Sequence, residues 1–187
     1  MEHILKLQLY HGTDFNIAQK ICKEEFICKE NLEHWLGNGI YFFTDESLAK
    51  WWTTKPSRKF GHDIAQSAII KCDLEVNKEN VLDITTIDGY NICLETFDYF
   101  WRKYVSKNPP VTVTDFRRLR CAFFDWVMKT QNIDVIIVSF HLPNQPYIKK
   151  IADLIFDKFN ISYGEVQVCL KQDKQHLLTN KRIEQIL

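Results

Sequence analysis

A chain of 187 residues with 45% apolar and 26% charged side chains is sized for one globular domain with a real core. Its 24 basic and 24 acidic residues cancel, which excludes a global field toward nucleic acid or an anionic membrane and leaves only local patches. No apolar run approaches membrane-spanning length, no signal-peptide pattern precedes the first apolar segment, and the six cysteines form no CxxC pair.

The expectation is therefore one domain over 1–187, cytoplasmic, with reduced and buried thiols, no metal and no membrane partner. An aromatic share of 13% is high; most of these rings belong in a core, and a surplus suits stacking onto a planar ligand.

Residues 4–10 alternate, with Ile4, Leu5, Leu7 and Leu9 around Lys6 and Gln8, which predicts a half-buried strand. Asp14 is placed to cap a helix running to about residue 25, with Ile17, Ala18, Ile21 and Cys22 at helical spacing. Residues 26–38 read as irregular, and Ile40–Phe43 as a short buried strand. Thr44 or Asp45 then caps a helix from Ser47 to about Thr53, which stops before Pro56. An exposed basic loop over 54–63 leads to a strand over Ile64–Leu74, which Val81–Ile84 extends or flanks.

From about 86 to 131 the pattern is helical, in segments near 88–106 and 114–130 separated by Asn108-Pro109-Pro110. Asp134–Phe140 is the clearest buried strand, residues 146–158 favour helix, and Glu165–Leu170 alternates as a strand. A last short strand is expected at 180–187. The sum is an α+β domain of short strands with a helical insertion at about 86–131.

Two aromatic strands in this pattern end at a glycine-flanked polar residue, in Tyr10-His11-Gly12-Thr13 and in Gly37-Asn38-Gly39-Ile40-Tyr41-Phe42-Phe43. Such strand ends can set an imidazole beside a phenol ring in one cleft. Taken singly, a histidine after a strand is ordinarily structural, and a tyrosine in Ile-Tyr-Phe-Phe is ordinarily core. In order, and followed by Ser47-x-Ala49-x-Trp51, they resemble the first and second motifs of ADP-ribosyltransferases, in the histidine-tyrosine-glutamate branch of diphtheria-toxin-like enzymes and poly(ADP-ribose) polymerases. Ala68–Leu74 is similar to the strand that follows those motifs; 86–160 matches no part of the family.

The resemblance implies a split β-sheet core flanked by helices, and NAD as co-substrate. It implies that His11 holds the adenosine-side ribose, that the Gly12 backbone beside Thr13 takes the nicotinamide carboxamide, and that Tyr41 stacks on nicotinamide. Trp51 is the candidate for a second stacking ring, with Trp52 behind it.

The family's third motif is a strand opening at a catalytic glutamate, and here the strand is Tyr163-Gly164-Glu165-Val166-Gln167-Val168-Cys169-Leu170. Two registers are open, with Glu165 or with Gln167 in the catalytic place; the apolar residues after Gln167 favour the second. Alternation puts both on one strand face. An amide still bonds a ribose hydroxyl but carries no charge to offset an oxocarbenium ion. Within the resemblance, a non-glutamate accompanies mono- rather than poly-ADP-ribosylation, or a domain that binds without catalysis.

The acceptor is protein, RNA or DNA. Arg102, Lys103, Arg117, Arg118 and Arg120 in the insertion, and Lys55, Arg58 and Lys59 in the basic loop, are suited to tracking phosphates, although outer faces of amphipathic helices give the same pattern. Stand-alone domains of this branch imply a toxin or phage-defence setting with an antitoxin or immunity partner. Two other readings compete: a catalytically silent NAD- or ADP-ribose-binding module, and a phosphotransferase of the tRNA-repair kind. The latter needs arginines around the cleft, and the matched motifs hold none.

Overall fold

Strand β1 (Ile4–Asp14) pairs antiparallel with β3 (Ser67–Asn77) along its whole length, from Ile4 opposite Asn77 to Asp14 opposite Ser67. The strand therefore runs through His11, Gly12 and Thr13 instead of ending near Tyr10. A continuous ladder overrides the weak strand preference of one glycine. This computed structural model describes residues 3–54, 66–106, 116–141 and 164–186. The basic loop beyond residue 54, the proline break at 108–110 and the segment at 146–158 lie outside the described residues.

Asp14 caps helix α1 (Phe15–Lys23), its Oδ1 accepting from the Asn16 and Ile17 amides at 2.8 and 3.3 Å. After an irregular stretch come β2 (Gly39–Phe43) and α2 (Glu46–Thr54), where Asp45 Oδ1 accepts from the Ser47 amide at 2.7 Å. The order continues with β4 (Val81–Asp83), α3 (Ile87–Phe100, prolonged by a π turn to Val105), α4 (Phe116–Thr130), β5 (Val135–His141), β6 (Gly164–Lys171) and β7 (Leu178–Ile186). The last strand starts earlier than its sequence suggests because Leu178 and Thr179 pair with Leu74 and Asp73 of β3.

The fold is α+β: one mixed seven-stranded sheet, in the order β4-β5-β6-β2-β1-β3-β7, with helices packed on it. Among the described residues, β4 and β5 are the one strand pair that runs parallel. In a flat sheet β4 and β3 would sit five spacings apart, roughly 24 Å. Yet Asn77 and Val81 are joined by Lys78, Glu79 and Asn80 alone, which reach at most about 14 Å. The sheet must therefore curl.

The side-chain clusters show where. One face contributes Leu9, Ile40, Phe42, Ile70, Leu74, Val135, Ile137, Val168 and Leu170 to a single core, so both halves of the sheet turn the same face inward. The opposite face is covered in two patches. Helices α3 and α4 cover Ile136 and Cys169 with Phe100, Phe123 and Val127, while α2 covers Ile69 and Phe43 with Leu48 and Ala49. Between the halves, β1 and β2 pair through Tyr10 opposite Phe43. All six cysteines are free thiols, with Cys72, Cys121 and Cys169 buried and the others half-buried. Among the described residues no helix is long and apolar enough to cross a membrane.

Candidate functional site

His11 projects from β1 into the shared core, its ring edge-on to Phe26 and Phe42 at 5.2 and 5.9 Å. Its Nδ1 lies 2.8 Å from the Tyr41 carbonyl oxygen, which fixes the tautomer that donates from Nδ1 and leaves Nε2 as acceptor. Burial holds the imidazole below the usual histidine pKa, against the upward pull of that hydrogen bond.

Tyr41 points the other way, into the cluster under α3 and α4. Its hydroxyl accepts from the Leu36 amide at 2.6 Å and donates to the Gly37 carbonyl at 2.7 Å, and its ring meets the His34 ring at 5.8 Å. Burial pushes the phenol pKa far above its ordinary value, so it stays protonated. The expected side-by-side pair is thus corrected: the two side chains lie on opposite faces of the sheet, joined through Tyr41's backbone. Strand alternation is the reason, since His11 stands opposite Ile70, which faces the inner core, and Tyr41 opposite Cys169, which faces α4.

Gly12 is buried beneath α2, where a Cβ would run into the Ala49 carbonyl and the Thr53 methyl. Its lack of a side chain lets helix and strand touch. Thr13 is half-buried opposite Ala68. On α2, Trp51 is half-buried, and it is the more exposed Trp52 whose ring tilts against Phe43 at 6.3 Å.

Glu165 and Gln167 do share a face, 1% and 8% exposed, and the Gln167 amide donates to Glu165 Oε1. Gln167 stands between Phe43 of β2 and Val138 of β5, and Glu165 opposite Phe140. Phe43, Gln167, Glu165 and Phe140 thus make a continuous strip on the outer face of the sheet. A carboxylate this deeply buried is tolerable only with hydrogen-bond donors beside it, and the Gln167 amide supplies one.

Trp35, which the sequence did not single out, and Arg120, named only among the cations of the insertion, complete this corner. The Trp35 ring meets Phe140 edge-on at 4.7 Å, and the Arg120 guanidinium lies over Trp35 at 4.9 Å and over Phe140 at 6.0 Å. Trp35 sits in a stretch without periodicity, and Arg120 reads as one of several helix cations, so no local signal marks either. Asp125 of α4 accepts from both the Asn38 amide and its side chain, at 2.5 and 2.7 Å, and pins the turn through Gly37.

The rest of the basic cluster is engaged nearby. Arg102 pairs with Asp98, Arg117 and Arg118 approach Glu33 at 3.7 and 3.9 Å, and Lys103 donates to Tyr99. Lys55, Arg58 and Lys59 lie outside the described residues. Among the described residues no group of three or more His, Cys, Asp or Glu side chains could hold a metal. A shallow hollow of about 300 Å³ between Lys6, Gln8, Asp73, Glu75 and Asn180 lies toward the other end of β1 from His11 and Gly12 and holds none of the candidate residues.

No family model matches the chain, and no solved structure matches it. It is similar to an uncharacterized protein of Methanocaldococcus jannaschii, 33% identical over 89 residues, a stretch making up 47% of this chain and 42% of that protein. The chain thus spans less than half the length of that relative.

Proposed function

We propose that this chain is an NAD-dependent mono-ADP-ribosyltransferase with an ADP-ribosyltransferase-like fold, acting on a protein, RNA or DNA acceptor. One observation carries the reading. Three segments remote in sequence, Tyr10–Thr13, Gly39–Phe43 and Gly164–Leu170, lie on three adjacent strands with β2 in the middle. The single-pair seam between β1 and β2 supports the same reading, because it lets the two halves of the sheet diverge.

In the reaction the nicotinamide–ribose bond breaks, nicotinamide leaves, and the acceptor nucleophile bonds to the ribose carbon through an oxocarbenium-like transition state. In this reading Glu165 supplies the negative charge that offsets the developing cation, and Gln167, donating to Glu165 from Nε2, offers Oε1 to a ribose hydroxyl. Tyr41, Trp51 and the Gly12–Thr13 backbone remain the proposed nicotinamide contacts, and His11 the ribose contact through Nε2. The residues fit NAD in part. Glu165, Gln167 and Phe43 share one face with Tyr41, whereas the Tyr41 hydroxyl is tied to residues 36 and 37 and His11 faces the inner core.

That last observation favours a second reading, a catalytically silent module that binds NAD or ADP-ribose. Incubating the purified chain with NAD and measuring free nicotinamide separates the two. The enzyme reading expects release, at least 100-fold lower in Tyr41→Ala and in Glu165→Ala/Gln167→Ala, the scale of losing a transition-state contact. Full activity in the double variant would remove β6 from the site. Calorimetric binding of NAD without release selects the silent module. Labelled NAD in a cell extract, fractionated into protein, RNA and DNA, identifies the acceptor and tests the proposed toxin or defence setting.

A further inference from the structure

Arg120 differs from the other described arginines of the insertion and from Lys103. Arg102, Arg117 and Arg118 have acidic neighbours and Lys103 has Tyr99 and Tyr104, but Arg120 has only the rings of Trp35 and Phe140 among the described residues. Its Nε is buried without a hydrogen-bond partner among the described residues. Withdrawing that N–H from water without an acceptor is unfavourable, and the guanidinium carries further N–H donors in a planar fork. Burial already lowers its pKa, consistent with a cation that lacks a counter-charge.

Two acids of this part of the fold are engaged elsewhere, Asp125 with Asn38 and Glu33 with Arg117 and Arg118. Trp35, whose ring the guanidinium overlies, is 40% exposed, an aromatic surface of the kind on which nucleobases stack. Phe140, under the same guanidinium, stands directly opposite Glu165, so this corner abuts the Glu165–Gln167 pair.

We infer that Arg120 and Trp35, floored by Phe140, form a subsite for a phosphate-bearing nucleotide group: the guanidinium takes the phosphate in its planar fork and the indole takes the base. The subsite deepens the transferase reading, on which its role beside Glu165 and Gln167 rests. The phosphate belongs either to the diphosphate of a dinucleotide or to the phosphodiester of a nucleic-acid acceptor. Both present the same chemistry to Arg120.

Titration of the full chain with ADP-ribose, with a short single-stranded oligouridylate, and with adenosine as the phosphate-free control tests it. Arg120→Gln is expected to weaken ADP-ribose or the oligouridylate by about 10- to 100-fold and to leave adenosine unchanged. Trp35→Ala should weaken the same probe by about 10-fold. Loss confined to ADP-ribose assigns the diphosphate. Loss confined to the oligouridylate, with a salt slope lower by about 1, assigns an acceptor strand.

Equal binding of both probes by Arg120→Gln and wild type, or binding of neither probe by wild type, overturns the subsite. Should Arg120→Gln melt early, Arg120→Lys keeps the charge without the fork, and unchanged affinity for both probes in a folded Arg120→Lys and in Trp35→Ala is likewise fatal. Nicotinamide release by wild type is scored separately. Release with Arg120-independent binding removes the subsite alone, and Arg120-dependent binding without release removes the transferase reading alone.

Discussion

Gly37 holds φ at +81°, and a Cβ there would stand 2.7 Å from Asp125 Oδ1 and 2.9 Å from its amide nitrogen. An L side chain costs about 1–2 kcal/mol at such a φ before any clash is counted. Gly37→Ala should therefore lower the melting temperature by at least about 2–4 °C, the shift per kcal/mol for a chain of this size, and an unchanged melting curve would refute the packing role. The sequence marks Gly12 and Gly37 as special by the polar residues they flank, but it cannot say what occupies the missing Cβ volume, a ligand or the protein itself. At Gly12 and Gly37 the neighbours are α2 and α4. Neither glycine leaves open space where its side chain would be.

The stretch from 24 to 38 is held less by backbone ladders than by side-chain ties from distant elements. Gln175 Oε1 accepts from the Phe26 amide at 2.7 Å and its Nε2 donates to the Phe26 carbonyl at 2.9 Å. Gln172 accepts from the Cys28 amide at 3.1 Å, and Asp125 grips Asn38 twice. Removing a charged acceptor that serves two donors costs about 1.5–3 kcal/mol per bond, much of it local here. Asp125→Ala is expected to speed amide exchange at 31–38 while the β3 and β6 amides keep their protection; uniform loss of protection across the sheet would show that the tie is global instead. This segment reads as irregular in the sequence, as it is, but its partners are up to 149 residues away, where no local pattern points.

On the scale of the whole molecule the sheet is two halves that share an inner core and meet at the Tyr10–Phe43 pair. His11 reinforces that seam by donating to the Tyr41 carbonyl. Its folded pKa is depressed, so the unfolded chain binds more protons near and below about pH 6.5. The stabilisation is fully present above that value and declines as pH falls below it. Denaturant midpoints should thus drop between about pH 7 and pH 5, and His11→Phe should give a lower but flatter profile, since it removes both the bond and the titration. Parallel profiles for the two proteins would exclude His11 as the source.

Alternation, capping residues and proline punctuation are local, so the sequence by itself determined the α+β class, the cap at Asp14, a second cap at Thr44 or Asp45, the paired helices of the insertion and the shared face of Glu165 and Gln167. It could not determine the partner of each strand. That choice placed β4 at the far edge from β3, set His11 and Tyr41 on opposite faces, and brought Trp35 and Arg120 to the Glu165 corner. Only the tertiary structure decides such things, because strand order and sheet curl depend on contacts between segments tens of residues apart, and a one-residue difference in register reverses the face to which every side chain points.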